Sequence, residues 1–349
     1  MQAVDAMPRI MAAIYRWTGR NSYSDPFEAP SIVALEGTEL ATARGLMRTR
    51  LSRRGVAELR SEMERLADTL CKDLVALPGG VPVDLVEHYG RRFSQEILAL
   101  LFDLKPGAAA DACERAERMN KLLDLGLTHS DLAALATDAR AVDRWADRHI
   151  DHIDMTPRSV IAPAVEAMRA GRLQHEQVRR MVNLLLVAGY TTTISVLMTG
   201  IKLLIEHPDQ LALLRHQPEL WANATEEVLR VADPVMVIPR WSTESGELDS
   251  VCVRENRPLY VTGVNADPEQ FDSPHEFDIR RSNASTHFAF GGGAHLCLGA
   301  TLARAEIETA LRVFFSHFAL PVLLDSVPGN SKTVRKWDRL VVELGETHR

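Results

Sequence analysis

The chain has 349 residues, of which 46% are hydrophobic and 25% charged, the balance of a globular protein with a large buried core. Its formal net charge of −7 gives no reason to expect a nucleic-acid partner. Its four cysteines form no CxxC pair, which argues against a zinc site or a disulfide framework. The N-terminal stretch lacks the apolar core of a signal peptide, so a cytoplasmic protein with no membrane attachment is expected.

The first 230 residues have mainly helical patterns, with apolar residues recurring every three to four positions. The spacing predicts helices over 46–77, 84–104, 111–125, 131–155 and 157–170. The run MVNLLLVAGYTTTISVLMTGIKLLI (181–205) is long enough to cross a membrane. Gly189, the threonines and Lys202 interrupt it, so a buried central helix is predicted instead.

The pattern changes after Pro234 to short β-branched runs, which predict strands within 235–242, 250–256 and 258–263. A glycine-rich loop, a helix over 299–317 and a hairpin-like region over 320–344 complete the chain. The expected fold is mainly α with a small β portion (α+β), the β-rich portion lying mainly in 235–290 and 320–344. No repeat or linker divides the sequence, so a single domain over 1–349 is predicted.

Cys297 follows three glycines and precedes a strongly predicted helix. Glycines let the backbone turn tightly and approach a flat ligand closely. A thiolate at a helix N-terminus is stabilised by the helix dipole and by backbone N–H groups. A sulfur in this position suits metal ligation or nucleophilic catalysis, whereas a lone cysteine is usually a small buried hydrophobic residue.

The string FGGGAHLCLG (290–299) closely resembles F-x-x-G-x-H-x-C-x-G, the haem-binding signature of the cytochrome P-450 superfamily. The resemblance implies the cytochrome P-450 fold, with haem b between a long central helix and the cysteine loop. It also implies that Cys297 is the thiolate ligand of the haem iron. Phe290 would pack beside the sulfur, Gly291 would let the loop turn, Gly299 would let the helix start beneath the porphyrin, and His295 would reach a propionate.

A second stretch, ending in Glu227-Val-Leu-Arg230, resembles the E-x-x-R element of the same family. The two side chains face one another at i,i+3 on a helix, and an arginine elsewhere can close a buried network. Arg281, or its neighbour Arg280, is the expected third member. On its own, Glu-x-x-Arg is a common surface ion pair, but here the resemblance implies a structural network.

The resemblance covers roughly residues 40–344, and in it Arg240 and Arg44 match arginines that pair with haem propionates. Leu40 stands where many relatives carry a histidine for the same purpose. The family normally has noticeably more residues before this position. Either the access side is unusually open, or the true start codon lies upstream.

The central helix of this family crosses the distal face of the haem and usually carries Ala-Gly-x-(Asp/Glu)-Thr. Here the segment is Ala188-Gly189-Tyr190-Thr191-Thr192. Gly189 would leave space for dioxygen, and Thr192 would bond back to the carbonyl of Ala188 and hold a water that delivers protons. Thr191 replaces the usual acid, and a hydroxyl does not supply a proton near neutral pH. Slower or substrate-assisted protonation is expected, or chemistry that needs less of it.

The resemblance implies a haem-thiolate monooxygenase of bacterial type, an oxidoreductase acting in natural-product (secondary-metabolite) biosynthesis on an apolar small molecule. A separate ferredoxin or flavodoxin would donate electrons, because no such domain is fused to the chain. Two alternatives stay open: oxidative coupling, desaturation or peroxide-driven chemistry on the same haem, or a catalytically silent haem or ligand-binding protein. The predicted pocket wall is apolar and includes Leu184, Val187, Ala188, Val235, Val237 and Ile238.

A basic cluster on or just after the helix near Arg44 would border the docking face of the electron donor. The same cluster is equally consistent with a plain solvated surface. Its members are Arg48, Arg50, Arg53 and Arg54.

Overall fold

The computed structural model describes residues 32–123, 128–152, 158–242, 244–248 and 250–345. Contacts within the chain divide it into two compact units. The first contains the described residues of Met1–Arg48, Asp111–Ala188 and Val237–Thr262, and the second those of Thr49–Ala110, Gly189–Met236 and Gly263–Arg349. The single domain expected over 1–349 stays a prediction.

Most of the described chain is helical, as expected from the sequence. The α-helices are α1 (Gly37–Leu51), α2 (Arg53–Val75), α3 (Arg92–Phe102), α4 (Ala110–Met119), α5 (His129–His152), α6 (Ala162–Arg169), α7 (His175–Glu206), α8 (Pro208–His216), α9 (Trp221–Ala232) and α10 (Ala300–His317). A π-helical turn, Val86–Arg91, leads into α3. The helix ends predicted at 125, 155 and 157 lie outside the described residues.

Two helices occupy the stretch predicted as one helix over 46–77. Ser52 interrupts it with an extended backbone (ψ 164°) and caps α2 by accepting a hydrogen bond from the Gly55 N–H at 3.2 Å. A serine in this conformation is a favoured N-cap, which explains the break. The apolar run 181–205 lies within α7, and 72% of that helix's most apolar window is buried inside the protein.

The strands in the described part of the chain form three small antiparallel sheets. They are β1 (Val83–Asp84), β2 (Val237–Trp241), β3 (Gly246–Leu248), β4 (Val251–Val253), β5 (Pro258–Thr262), β6 (Val322–Pro328) and β7 (Trp337–Glu343). The first sheet has the order β1-β7-β6, and the others are the pairs β2–β5 and β3–β4. In the region predicted as β-rich up to residue 290, the strands end at Thr262, and turns with short 3-10 segments follow.

Within the second unit, α7 packs closely against α9 and α10. A Cβ added at Gly200 would lie 2.9 Å from Leu311 and 3.0 Å from Val228, so the absence of a side chain permits this approach. Helix α10 also pairs with α2, where Arg60 donates to Glu308 at 3.0 Å. These contacts hold α10, the helix that follows Cys297, in the core of its unit.

Candidate functional site

The loop before Cys297 makes its turns at glycine. Gly291 and Gly293 have φ angles of 68° and 70°, which residues with side chains rarely adopt. The Cys297 N–H donates to the carbonyl oxygen of Phe290 at 2.9 Å and closes the loop. Helix α10 begins directly afterwards, with Gly299 at its N-cap. The sequence therefore folds locally so that the sulfur lies at the N-terminus of a long helix.

The Cys297 side chain is exposed, and it lies at the end of α10 where the helix dipole stabilises negative charge. A Cβ added at Gly299 would lie 3.9 Å from the sulfur, so this glycine keeps the space beside it open. Across the described residues, no group of three or more His, Cys, Asp or Glu side chains could hold a metal ion. A single thiolate is the ligand that a protein of this kind would supply to haem iron, and the porphyrin would supply the others, so these residues fit haem.

The E-x-x-R residues lie in a buried network on α9. Glu227 accepts from Arg230 Nε at 2.7 Å and from Arg281 Nε at 3.1 Å. Arg230 also donates to the carbonyl of Asn265 at 2.9 Å. The structure thus brings Glu227, Arg230 and Arg281 together, whereas the side chain of Arg280 is 70% exposed.

Sequence reasoning missed a second network that starts from the neighbouring glutamate. Glu226 accepts from His287 Nε2 at 3.0 Å and from Arg304 Nε at 2.6 Å. Burial raises the pKa of Glu226, but the bonds from His287 and Arg304 outweigh it and hold the pKa below its usual value. These partners lie 61 and 78 positions further along the chain, so no local pattern could have revealed them.

The segment 188–192, which the resemblance places on the distal side of the haem, lies in the middle of α7. Ala188 is exposed and Thr192 half-buried, and the two share a face because they are four positions apart. Thr191 is only 2% exposed and lies about 100° around the helix from Thr192. Thr193 Oγ1 donates to the Gly189 carbonyl at 2.9 Å, a back-bond of the kind predicted for Thr192. The position that lacks the usual acid thus points into the packed side of its helix.

A buried carboxyl from α10 contacts the same helix. Glu306 is 4% exposed, and its Oε2 lies 3.3 Å from Thr193 Oγ1. Burial raises the pKa of Glu306 to about 7, and the bond with Thr193 only partly opposes that rise. Sequence analysis did not single out this residue, because a glutamate in a charged helix usually faces solvent.

The remaining predicted site residues differ in their exposure to solvent. Arg44 lies half-buried on α1, Arg240 lies exposed on β2, and His295 is half-buried at the end of the 3-10 turn Gly293–His295. Leu40, expected from the resemblance to stand where a propionate-binding histidine could lie, is buried. Of the predicted pocket residues, Val187 is buried, Ala188 is exposed, and the others are half-buried: Leu184, Val235, Val237 and Ile238.

The predicted basic cluster is partly neutralised. Arg50 and Arg54 lie 3.2 and 3.6 Å from the carboxylate oxygens of Glu58. Arg48 and Arg53 are exposed. Docking of an electron donor on this surface stays a prediction.

An exposed cysteine before a long helix suits a haem-thiolate protein, in which a cysteine thiolate ligates the haem iron. The profile of the cytochrome P-450 family matches residues 134–336. A cytochrome P-450 140 of Mycobacterium tuberculosis is 31% identical over 343 residues, which cover 95% of this chain and 77% of that protein. The chain belongs to the cytochrome P-450 family.

Two hydroxylases add detail to this assignment. The 6-deoxyerythronolide B hydroxylase of Saccharopolyspora erythraea is 38% identical over 180 residues, which cover 50% of this chain and 44% of that protein. The structure of MycCI, a mycinamicin VIII methyl hydroxylase of Micromonospora griseorubida, matches with a TM-score of 0.81 and 28% identity, covering 89% of this chain and 80% of that one. The protein is an oxidoreductase of the monooxygenase type, and its family implies a haem with a cysteine thiolate.

Proposed function

We propose that the protein binds haem b through Cys297 and inserts one oxygen atom of dioxygen into a C–H bond of a largely apolar small molecule. Two electrons from a separate ferredoxin or flavodoxin and two protons convert the other oxygen atom to water, which balances the reaction. A role in bacterial natural-product biosynthesis is supported by similarity to the 6-deoxyerythronolide B and mycinamicin VIII hydroxylases.

The observation that supports this proposal most directly is the position of Cys297. Its exposed sulfur lies at the N-terminus of α10, in a loop closed by the bond from its own N–H to the Phe290 carbonyl. When bound, the haem supplies the oxygen-activating chemistry, and thiolate donation favours O–O cleavage. The chain's own contribution here is to hold the sulfur as a thiolate and to fix its direction.

Other residues would bind the cofactor edges and handle protons. The cationic side chains of Arg44 and Arg240, together with His295, suit haem propionates, because charge-assisted hydrogen bonds to carboxylates are strong. Thr192 places a hydroxyl on the same helix face as exposed Ala188, where it can hold a water and pass a proton on. The apolar pocket residues suit an apolar part of the substrate.

The absorption spectrum of the reduced, carbon-monoxide-bound protein tests the ligand assignment. The wild type is expected to show a strongly red-shifted Soret band, and Cys297→Ser is expected to lose it. Cys252→Ser is the matched control, because Cys252 is also exposed but lies on strand β4, far along the chain from the loop. A wild-type spectrum without the red shift would overturn the proposal.

Turnover separates an enzyme from a silent binding protein. With a surrogate ferredoxin or flavodoxin and its reductase, the proposal expects consumption of dioxygen and an oxygenated product from a panel of apolar small molecules. Electron transfer to the haem with no product from any member of a broad macrolide and fatty-acid panel would favour the binding protein.

A second candidate, oxidative coupling, desaturation or peroxide-driven chemistry on the same haem, is favoured by Thr191. Its hydroxyl replaces the usual acid and is buried. We expect Thr191→Asp to raise the ratio of product formed to electrons consumed, because burial raises the pKa of a carboxyl toward the range useful for a general acid. Thr191→Asn is the matched control without an ionisable group. An unchanged ratio in the Asp variant, with peroxide-supported turnover in the wild type, would favour the second candidate.

A further inference from the structure

We propose that Glu226, His287 and Arg304 form one positioning unit that sets the geometry of the Cys297 loop through the ring of Phe290. The inference rests on the proposed function, in which Cys297 is the haem ligand. The three residues act on Cys297 through Phe290, so each is a positioning residue rather than a catalytic one.

Glu226 joins the other two members from inside the protein. His287 Nε2 lies 3.0 Å from its Oε2, and Arg304 donates to Oε1 at 2.6 Å and to Oε2 at 3.1 Å. The His287 side chain is fully buried and that of Glu226 is 15% exposed. The Glu226 carboxylate accepts three hydrogen bonds, two from Arg304 and one from His287. These bonds hold the carboxylate in one orientation, because losing any of them would leave a buried polar group without a partner.

The two nitrogens of His287 have different partners, and this fixes the tautomer. The Ala289 N–H donates to Nδ1 at 3.1 Å, so Nδ1 carries no proton in this arrangement. The remaining ring proton is on Nε2 and is donated to Glu226. The imidazole thus links the carboxylate on α9 to the backbone of the loop, one residue before Phe290.

The ring of Phe290 lies against both partners of Glu226. The Arg304 guanidinium carbon lies 4.5 Å from its centroid, within the range of a cation–π contact. The His287 ring lies 5.6 Å from the same centroid at an interplanar angle of 48°. The carbonyl of Phe290 accepts the N–H of Cys297 at 2.9 Å. A shift of the ring would therefore be transmitted to the backbone that orients the ligand.

A further contact fixes the start of the same loop. Asn265 Oδ1 accepts the N–H of Phe288 at 2.6 Å, and its Nδ2 donates to Asp233, the C-cap residue of α9, at 2.7 Å. Residues 287 and 288, at the start of the segment, are thereby tied to α9.

The test uses the purified haem protein and two pairs of variants. Arg304→Ala is compared with Arg312→Ala, because both arginines lie on α10, bind a glutamate and have side chains 38% and 39% exposed. His287→Asn is compared with His287→Gln. The glutamine amide can replace the Nε2–H donor to Glu226, whereas the shorter asparagine can replace only the Nδ1 acceptor.

Two readouts are measured for each variant: the fraction of the carbon-monoxide-bound Soret band that is red-shifted, and the rate of haem transfer to apomyoglobin. We expect Arg304→Ala and His287→Asn to lose a large part of the red-shifted band and to release haem about tenfold faster or more, as for other outer-shell partners of metal ligands. Arg312→Ala is expected to stay close to the wild type, and His287→Gln is expected to lose less than His287→Asn, because it keeps the bond to Glu226 but not the acceptor for the Ala289 N–H. Thermal unfolding of each variant reports the fold separately.

The outcomes separate this inference from the proposed function. A wild type without the red-shifted band overturns both. A wild type with the band, and Arg304→Ala and His287→Asn behaving as their controls, overturns the positioning unit alone. Equal loss of the red-shifted band in His287→Asn and His287→Gln also overturns it, because the hydrogen bond to Glu226 would then have no effect on the Cys297 loop. If Arg304→Ala does not fold, Arg304→Lys takes its place, since lysine cannot reproduce the two-pronged bond to Glu226.

Discussion

Replacing Glu306 with glutamine is expected to make the protein more stable above neutral pH and to leave it nearly unchanged in acid. Thr193 Oγ1 lies 2.9 Å from the carbonyl of Gly189 and 3.3 Å from Glu306 Oε2. The Thr193 hydroxyl donates to Glu306 Oε2, and the carbonyl oxygen of a glutamine amide can accept the same bond. Glutamine never ionises, so it reproduces the neutral acid.

The size of the effect follows from the pKa of Glu306. Burial raises it from 4.5 to about 7 in the folded protein. Below pH 4.5 the carboxyl is protonated in the folded and unfolded chains alike, so its burial carries no ionisation cost. Between 4.5 and about 7 the unfolded chain releases its proton first, and the folded state loses stability as the pH rises. Each unit of the pKa difference corresponds to ~1.4 kcal/mol, so above about pH 7 the ionised Glu306 lowers the free energy of unfolding by about 3 kcal/mol in total.

The assay is urea unfolding of the haem protein at about pH 5 and about pH 8.5, with wild type and Glu306→Gln measured side by side. The variant is expected to gain up to about 3 kcal/mol on the wild type between the two conditions. Glu308→Gln is the matched control, because Glu308 lies on the same helix in a partly exposed ion pair with Arg60. If the difference between Glu306→Gln and wild type is the same at both pH values, Glu306 is not the buried neutral acid described here.

Three further substitutions test the packing of the second unit, each by its free energy of unfolding in urea. Glu227→Gln removes the countercharge of Arg230, which is 1% exposed, and is expected to cost about 3–5 kcal/mol; a cost below about 1 kcal/mol would contradict a buried network. Gly200→Val forces atoms into the space held by Leu311 and is expected to cost about 1–3 kcal/mol, whereas no loss would mean that the helices separate freely. Ser52→Ala removes the N-cap of α2 and should lower the free energy of unfolding by about 1 kcal/mol. An unchanged free energy of unfolding would mean that the cap does not cause the break between α1 and α2.

The cysteine loop could be predicted because its information is local. The signature that leads to Cys297 lies within ten consecutive residues, and the glycines at 291 and 293 adopt the left-handed backbone that such a turn requires. The buried helix α7 was also predictable, because an apolar run with interrupting threonines suits a core better than a membrane. The break at Ser52 was missed even though serine is a favoured N-cap, because the helical spacing continues on both sides of it. Strand β3, Gly246–Leu248, was missed because three exposed residues show no alternation.

The two consecutive glutamates of α9 show where sequence reasoning stops. Successive positions on a helix point about 100° apart, so Glu226 and Glu227 cannot serve the same network. Glu227 was found because one partner, Arg230, lies three positions away on its own helix. Glu226 was not found because both of its partners come from elements far along the chain. Its partner His287 accepts the N–H of Ala289 at Nδ1, and the next residue, Phe290, accepts the N–H of Cys297. Glu226 has no partner in a local sequence motif, yet it is the glutamate that is connected to the predicted ligand.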